Sequence, residues 1–415
     1  MLAQHSGSSF LSTVTNTSSE VDKRNTHAAR VTLRTNAVEP VRGGHPWVWR
    51  ESLVRSDTLL MGAVVELRDE AGVAIGSGIA DPSSAIAVRV WTVAPERWDA
   101  GLVGDRVRKA IRARTKHFDN EKTTAYRCVA GEGDRLPAVT VDRYDMHAIV
   151  KLDGEAITEH RDVIRQALTT ELPHIGIETI TLRTGGRGAA IEFESWLGGL
   201  PPPRVIVLEH GVPMVVDLHE GQKTGAFLDQ RENRKRVGEL SRGCRVLNLF
   251  SYTGGFSLHA ALGGASHVTS VDSAAKAHAA AQASFVAAGI EPKPHAFVTA
   301  DAFQFLENAH RRSQKWDLIV CDPPSFAPNE KSVARALSAY RTLHAACARV
   351  LAKGGVFCAS SCSSHVPADL FLTTLDDASL QRSDLHLVDF RGLPADHPTL
   401  PIWKEGRYLK FAVLE

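Results

Sequence analysis

The sequence predicts an α/β protein: a C-terminal doubly wound sheet, preceded by a small β-rich unit and an α+β unit. Three observations carry this expectation. Beyond residue 240, apolar strand-like runs alternate with helical stretches, as in CRVLNLFS then TGGFSLHAALG and HVTSVDS then AAKAHAAAQASFVAAG. Buried parallel strands joined by helices make a doubly wound sheet, whose ligands bind at the strands' carboxyl ends. From residue 30 to about 93 the text is instead short alternating runs, such as AVVELRD and AIAVRVWTV, broken by Gly, Pro, Asp and Asn, which is the pattern of strands and turns. Between these two regions the strands AVTVDRY, HAIVKLD and TITLRT surround one helical stretch, EHRDVIRQALTTEL, and end at the loop GGLPPPR.

The expected divisions are 30–103, 104–203 and 204–415, after a Ser/Thr-rich stretch, 1–29, that lacks a sustained apolar pattern and reads as a disordered tail. A length of 415 residues suits two or three domains. Forty-eight Lys plus Arg against 47 Asp plus Glu leave a net charge of +1, so any polyanion must be met by a local patch. No apolar run reaches the roughly 18 residues of a membrane span, and the first nineteen residues carry neither Arg nor Lys, against a signal or transit peptide. A cytoplasmic protein without membrane partners is expected, its six cysteines reduced.

Local basic patches are available. In AGLVGDRVRKAIRARTKHF, Val103, Val107 and Ile111 recur at helical spacing, while Arg106, Lys109, Arg112, Arg114 and Lys116 fall mostly elsewhere; this is a basic amphipathic helix. In EGQKTGAFLDQRENRKRV, residues 220–237, Thr224 can cap a helix on which Arg231, Arg234, Lys235 and Arg236 form a basic face able to reach phosphates. The GQKTG run lacks the first glycine of a phosphate loop and follows no buried strand of the sheet, so nucleotide triphosphate hydrolysis is set aside.

Chemistry is expected at five strand ends. The first strand runs into NLFSYTGGFS, where Phe250 and Tyr252 stand in place of the early glycines of a dinucleotide site and Gly254 and Gly255 remain. A ligand without a phosphate is favoured there. The second strand ends at Asp272, eighteen residues after Gly254, near the offset at which an acid takes a ribose diol. The third ends at Asp301, followed by Ala302 and Phe303, an edge suited to adenine. For each aspartate the alternative role is a helix cap. The fourth ends in VCDPPSF: Pro323 and Pro324 remove two amide donors and leave carbonyl acceptors for an amino group on a planar base, beside Asp322. The fifth ends in VFCASSCSS, which places Cys362 in the same crevice while Cys358 sits within the strand. No histidine or cysteine cluster has metal-ligand spacing.

With these residues in view, the chain from about 31 to 415 resembles the class I, Rossmann-like S-adenosylmethionine-dependent methyltransferases that carry an N-terminal PUA domain and form 5-methylcytosine in large-subunit (23S) ribosomal RNA. The resemblance runs through HPWVWRESL, GEGDRLPAVTVDRY, KTGAFLDQR, LFSYTGGFS, VDSAAKA, CDPPSFAPNEK, SCS and ADHP…EGRYLK. It implies a PUA-like RNA-binding domain at 30–103. It further implies that Phe250, Ser251, Tyr252 and Gly254 cradle S-adenosyl-L-methionine, that Asp272 holds its ribose and that Asp301 accepts from its adenine amine. Thr224 and Gln230 would close over the methionine moiety. Many relatives have Lys or Thr where this chain has Ser325.

The cysteine position selects the reaction. Carbon 5 of cytosine is too weak a nucleophile to attack a sulfonium methyl unaided; a thiolate adding to carbon 6, with an acid on ring nitrogen 3, makes it enamine-like. Cys362 is the expected nucleophile and Asp322 the acid, with Pro323, Pro324, Ser325 and Arg231 on the substrate side. Ribosomal RNA is the expected partner, and a homodimer is admitted. Two other readings stand beside this one: methylation of an exocyclic base amine, which needs no thiol, and a non-catalytic RNA-binding protein that keeps only the fold.

Overall fold

The computed structural model describes residues 29–54, 59–186 and 189–415. The predicted tail lies outside the described residues except at Ala29, where the first strand begins. The β-rich unit contains β1 (Ala29–Thr32), α1 (Thr35–Arg42), β2 (Trp47–Trp49), β3 (Val64–Arg68), β4 (Ala74–Ala80) and β5 (Ile86–Val93), in the sheet order β1-β3-β4-β5-β2. The period-2 alternation of β3 turns Val65 and Leu67 into the core with Val31, Ile75, Val88 and Val90.

The predicted basic helix is α2 (Ala100–Thr115), capped by Asp99, whose side chain accepts from the Leu102 amide at 2.7 Å. Its apolar residues Val103, Val107 and Ile111 pack as expected. The basic face needs correction. Arg106 and Arg114 are buried: Arg106 donates to the Trp91 and Arg135 carbonyls and pairs with Glu96, while Arg114 forks onto Asp134 at 2.6 and 2.7 Å. These two arginines join units of the chain and are unavailable to RNA; Lys109, Arg112 and Lys116 remain exposed.

The next sheet is built from β6 (Ala125–Ala130), β7 (Val139–Tyr144), β8 (His147–Leu152), the short α3 (Glu155–Thr158), α4 (Arg161–Glu171), β9 (Thr179–Gly186) and β10 (Ala189–Leu197). Its strand order is β10-β9-β8-β7-β6, and α2 shares a core with it and α4 through Ile111, Ile164 and Leu168.

A hairpin, β11 (Arg204–Glu209) with β12 (Val212–Asp217), leads into α5 (Arg231–Leu240). Then come β13 (Arg245–Leu249), α6 (Gly255–Leu262), β14 (His267–Asp272), α7 (Ala275–Ala287), β15 (Ala296–Thr299), α8 (Ala302–Arg311), β16 (Trp316–Cys321) and α9 (Val333–Val350). The chain closes with β17 (Leu351–Ser361), α10 (Ala368–Leu372), α11 (Asp377–Leu380), β18 (Leu387–Arg391) and β19 (Lys410–Leu414). The seven strands lie in the order β15-β14-β13-β16-β17-β19-β18; β13 to β17 are parallel and β19 runs antiparallel between β17 and β18. The order reverses between β13 and β16, so the crevice for a ligand opens at their carboxyl ends. Among the described residues no helix is long and apolar enough to cross a membrane.

Candidate active site

A crevice of about 610 Å³ occupies this switch point, within the size range of small-molecule sites. One wall is the turn after β13. Phe250 and Tyr252 have φ of 57° and 44°, left-handed values that bulky residues seldom adopt, and Gly254 follows at 74°. The turn is held because the Ser251 amide donates to Val271 O at 3.0 Å and the Tyr252 amide donates to Asp272 Oδ2 at 2.8 Å. Asp272 Oδ1 accepts from the Ala274 amide at 2.8 Å, so this carboxylate organises the mouth of the crevice from the end of β14.

Ser251 is buried, lines the crevice, and its hydroxyl has no partner. A buried hydroxyl without a partner is costly unless a ligand satisfies it, and here it lies beside the acid suited to a ribose. This donor set fits the nucleoside side of S-adenosylmethionine. Asp301 stands one strand further out, exposed, with Oδ1 accepting from the Gln304 amide at 2.9 Å as the cap of α8; it is not part of the crevice lining.

The opposite wall is the loop after β16 and the end of β17: Asp322, Pro323, Pro324, Ser325 and Cys362. Ser325 Oγ lies 3.1 Å from Ser363 Oγ, joining the two loops. Burial pushes Asp322 up to about 6, partly offset by the Ser360 hydroxyl and reinforced by the nearby charge of Asp229. Burial, followed by the Asp322 charge, pushes the Cys362 thiol up to about 11, with Lys223 and Lys410 acting in the opposite sense. Cys362 is half-buried and is the one cysteine in the crevice; Cys128, Cys321, Cys347 and Cys358 are packed into cores.

The third wall is the segment before α5. Gln230 lines the crevice and donates to Ser360 Oγ at 3.0 Å. Thr224 does not face the ligand space as expected: its hydroxyl is 2.6 Å from Asp142 Oδ2 and 2.8 Å from the Tyr144 hydroxyl, binding this segment to β7. Nor does it cap a helix, since α5 begins only at Arg231, with Gln230 at its N-cap. The basic face is likewise corrected. Arg231 is 0% exposed and forks onto Asp396, and Arg234 forks onto Glu209. Arg236 pairs with Glu239 and Asp389, which leaves Lys235 exposed. Arg231 therefore positions the crevice wall and cannot reach a phosphate.

The sequence reading missed a charged group in this wall. Lys223 Nζ and the Tyr408 hydroxyl both donate to Asp229 Oδ2 at 2.7 Å, and Asp229 Oδ1, buried in the lining, has no partner. Burial opposes the Asp229 charge, but Lys223 and His397 outweigh it and hold the carboxyl well below its usual range. All three residues of this group lie inside motifs already singled out, KTGAFLDQR and EGRYLK, and only the fold shows that those motifs meet.

A parallel sheet closed by one antiparallel strand, a phosphate-free turn and an acid at the end of the second strand define a class I methyltransferase. Residues 139–404 match the family described as S-adenosylmethionine-dependent methyltransferase, and residues 31–93 match a PUA-like domain. A protein of Alteromonas mediterranea named Ribosomal RNA large subunit methyltransferase I is 34% identical over 392 residues, covering 94% of this chain and 99% of that protein. Its namesake in Shigella flexneri serotype 5b is 31% identical over 388 residues, with 92% and 98% covered. The methyltransferase SMU.776, solved in complex with SAH, superposes with a TM-score of 0.83 at 25% identity, covering 93% of this chain and 99% of that one. The chain belongs to the S-adenosylmethionine-dependent methyltransferases, in the PUA-containing family of Ribosomal RNA large subunit methyltransferase I. Its cofactor is S-adenosyl-L-methionine.

Proposed function

We propose that this methyltransferase forms 5-methylcytosine in large-subunit ribosomal RNA through a transient bond between Cys362 and carbon 6 of the base. The observation that carries the proposal is the placement of Cys362 and Asp322 on adjacent strand ends in one crevice, facing the cofactor turn. The ribosomal RNA substrate rests on the relatives' names and their near-complete coverage.

The cytosine, flipped out of its stack, lies against the Asp322–Ser325 loop, with its amine on the Pro323 and Pro324 carbonyls. The Cys362 sulfur adds its electron pair to carbon 6 while Asp322 gives a proton to ring nitrogen 3, and carbon 5 becomes enamine-like. S-adenosylmethionine, when bound, supplies the methyl as an electrophile. Carbon 5 then gives its proton to water as the carbon 6–sulfur bond breaks to regenerate the thiolate, and ring nitrogen 3 returns its proton to Asp322. Phe250, Ser251, Tyr252, Gly254 and Gln230 would hold the cofactor's methionine and ribose side and Asp272 its diol; Asp301, one strand further out and outside the crevice lining, would meet the adenine amine only through the carboxylate oxygen not used in capping α8. The β-rich unit and the exposed stripe of α2 capture RNA phosphates.

Wild type and Cys362→Ala are incubated with radiolabelled S-adenosylmethionine and protein-free ribosomal RNA, and the RNA is digested to nucleosides. Label in 5-methylcytidine that vanishes in the variant is the expected result. Label in an N-methylated base, or unchanged activity in the variant, overturns the proposal.

A further inference from the structure

Lys410 opens β19 in register with Ser361 of β17, in a strand buried along its whole length. Its ammonium, 2% exposed, donates to the carbonyl of Ser363 at 2.7 Å and to that of Tyr408 at 2.7 Å. No carboxylate pairs with it among the described residues, whereas Arg231 pairs with Asp396, Arg234 with Glu209 and Arg127 with Asp142; buried Arg183 shares the lack, donating only to the Lys223 and Gly221 carbonyls, but as a guanidinium it spreads its charge over a planar fork. Burying an ammonium against carbonyl dipoles alone costs several kcal/mol. Such a cation is explained if an anion forms beside it during the reaction.

The carbonyl of Ser363 is the first beyond Cys362, so the ammonium sits under the turn that presents the thiol. We propose that Lys410 is the counter-cation of the Cys362 thiolate, a positioning residue that fixes the cysteine turn and stabilises the sulfur's negative charge before it attacks carbon 6. The proposal rests on Cys362 being the nucleophile. In the step it assists, the Cys362 thiol passes its proton to the Asp322 carboxylate, which later delivers it to ring nitrogen 3. Negative charge moves from carboxylate to sulfur, and the total is unchanged. Cys362 is also faced by Lys223 and Asp229 before α5, by Tyr340 from α9 and by Tyr408 before β19. Lys223 is already committed to Asp229. Burial brings Lys410 down to about 8, and Cys362 is the acid that acts against this.

The test is the rate of iodoacetamide alkylation at Cys362, read by mass spectrometry of its peptide between pH 6 and 10, without RNA or cofactor. Lys410→Gln keeps a hydrogen-bond donor but removes the charge. Its alkylation near pH 7.5 is expected to fall about tenfold, one unit in thiol pKa, while Lys410→Arg stays within about threefold of wild type. An unchanged profile in folded Lys410→Gln overturns the proposal. If that variant does not fold, Lys410→Arg decides: a permanent cation keeps alkylation above pH 9 at or above the wild-type rate, and a tenfold deficit there overturns it. Methyl transfer by Cys362→Ala separates the two claims. Activity retained in that variant removes the nucleophile role and this proposal's catalytic meaning together, whereas an inactive Cys362→Ala with no alkylation shift in Lys410→Gln removes only the role of Lys410.

Discussion

The Arg231 guanidinium grips the Asp396 carboxylate with two hydrogen bonds, 3.0 and 2.8 Å long, and neither side chain is exposed. Asp396 Oδ2 also accepts from the Arg127 amide at 2.9 Å, so one carboxylate ties α5, β6 and the loop before β19 around the crevice. Removing one partner of such a pair leaves a buried charge uncompensated. Asp396→Ala is expected to cost about 3–5 kcal/mol of stability, measured by chemical denaturation. The Asp396 carboxyl is held below its usual range: burial opposes the charge, and His397 and Arg231 outweigh it. Its contribution is therefore fully present above the unfolded carboxylate pKa of about 3.9 and is lost as pH falls below that. Wild-type melting temperature should drop steeply on acidification through that range, and Asp396→Asn should flatten the drop.

Lys109 and Arg112 of α2 and Lys116 at its C-cap lie on one exposed stripe, while Arg106 and Arg114 face inward. Reversing the three exposed charges to Glu should weaken ribosomal RNA binding and lower the dependence of log affinity on log salt by about 2–3, with little change in melting temperature. Arg114→Ala should instead destabilise the fold, because Asp134 loses its fork. Filter binding between 50 and 300 mM salt distinguishes the two; an unchanged salt slope in the triple variant would show that RNA lies elsewhere.

The alternation of apolar strands and helices beyond residue 240 made the doubly wound sheet readable, because buried parallel strands are continuous apolar runs such as VLNL and LIVC. Asp272, Asp322 and Cys362 were readable for the same reason: strand ends can be located by pattern, and chemistry gathers there. Helix α1 was not, since Pro40 stands inside it and reads as a breaker. The strands β2, β6, β10, β11 and β12 went unread as well: β2 has only three residues, and β11 and β12 pair only with each other, outside the larger sheets. The arginines were misread because a periodic pattern cannot tell a charge facing water from one facing a buried carboxylate distant in sequence, as with Arg231 and Asp396 or Arg234 and Glu209. Thr224 failed similarly, its partners Asp142 and Tyr144 lying some eighty residues earlier.

The cofactor turn separates affinity from stability. Ser251→Ala removes a hydroxyl that has no protein partner, so stability should be unchanged or higher by up to about 1 kcal/mol, while S-adenosylmethionine affinity falls by about tenfold in calorimetry. Gly254→Val should damage both. At φ of 74° an L side chain is strained, and its Cβ would stand 2.7 Å from Ala281 Cβ; a loss of about 1–3 kcal/mol is expected. Equal affinity in Ser251→Ala would place the cofactor elsewhere.

Asp322 and Cys362 together predict an unusual pH profile. The reactive form has Asp322 protonated and Cys362 ionised, the reverse of the form that dominates between pH 6 and 11, where the carboxyl is ionised and the thiol neutral. The two forms carry the same number of protons, so kcat/KM should rise through about pH 6 and then level off instead of climbing towards the thiol's own value. Loss of the Lys410 proton should bring it down again above about pH 8, and Lys410→Arg should move that alkaline limb upwards. Because burial raises the folded Asp322 value above the unfolded one, its ionisation destabilises the protein as pH rises from about 4 to about 6, and the cost persists above that. Asp322→Asn should therefore be more stable at pH 7.5 by about 1–3 kcal/mol while losing methyl transfer. A kcat/KM that climbs steadily from pH 7 to pH 10 would remove Asp322 as the acid at nitrogen 3.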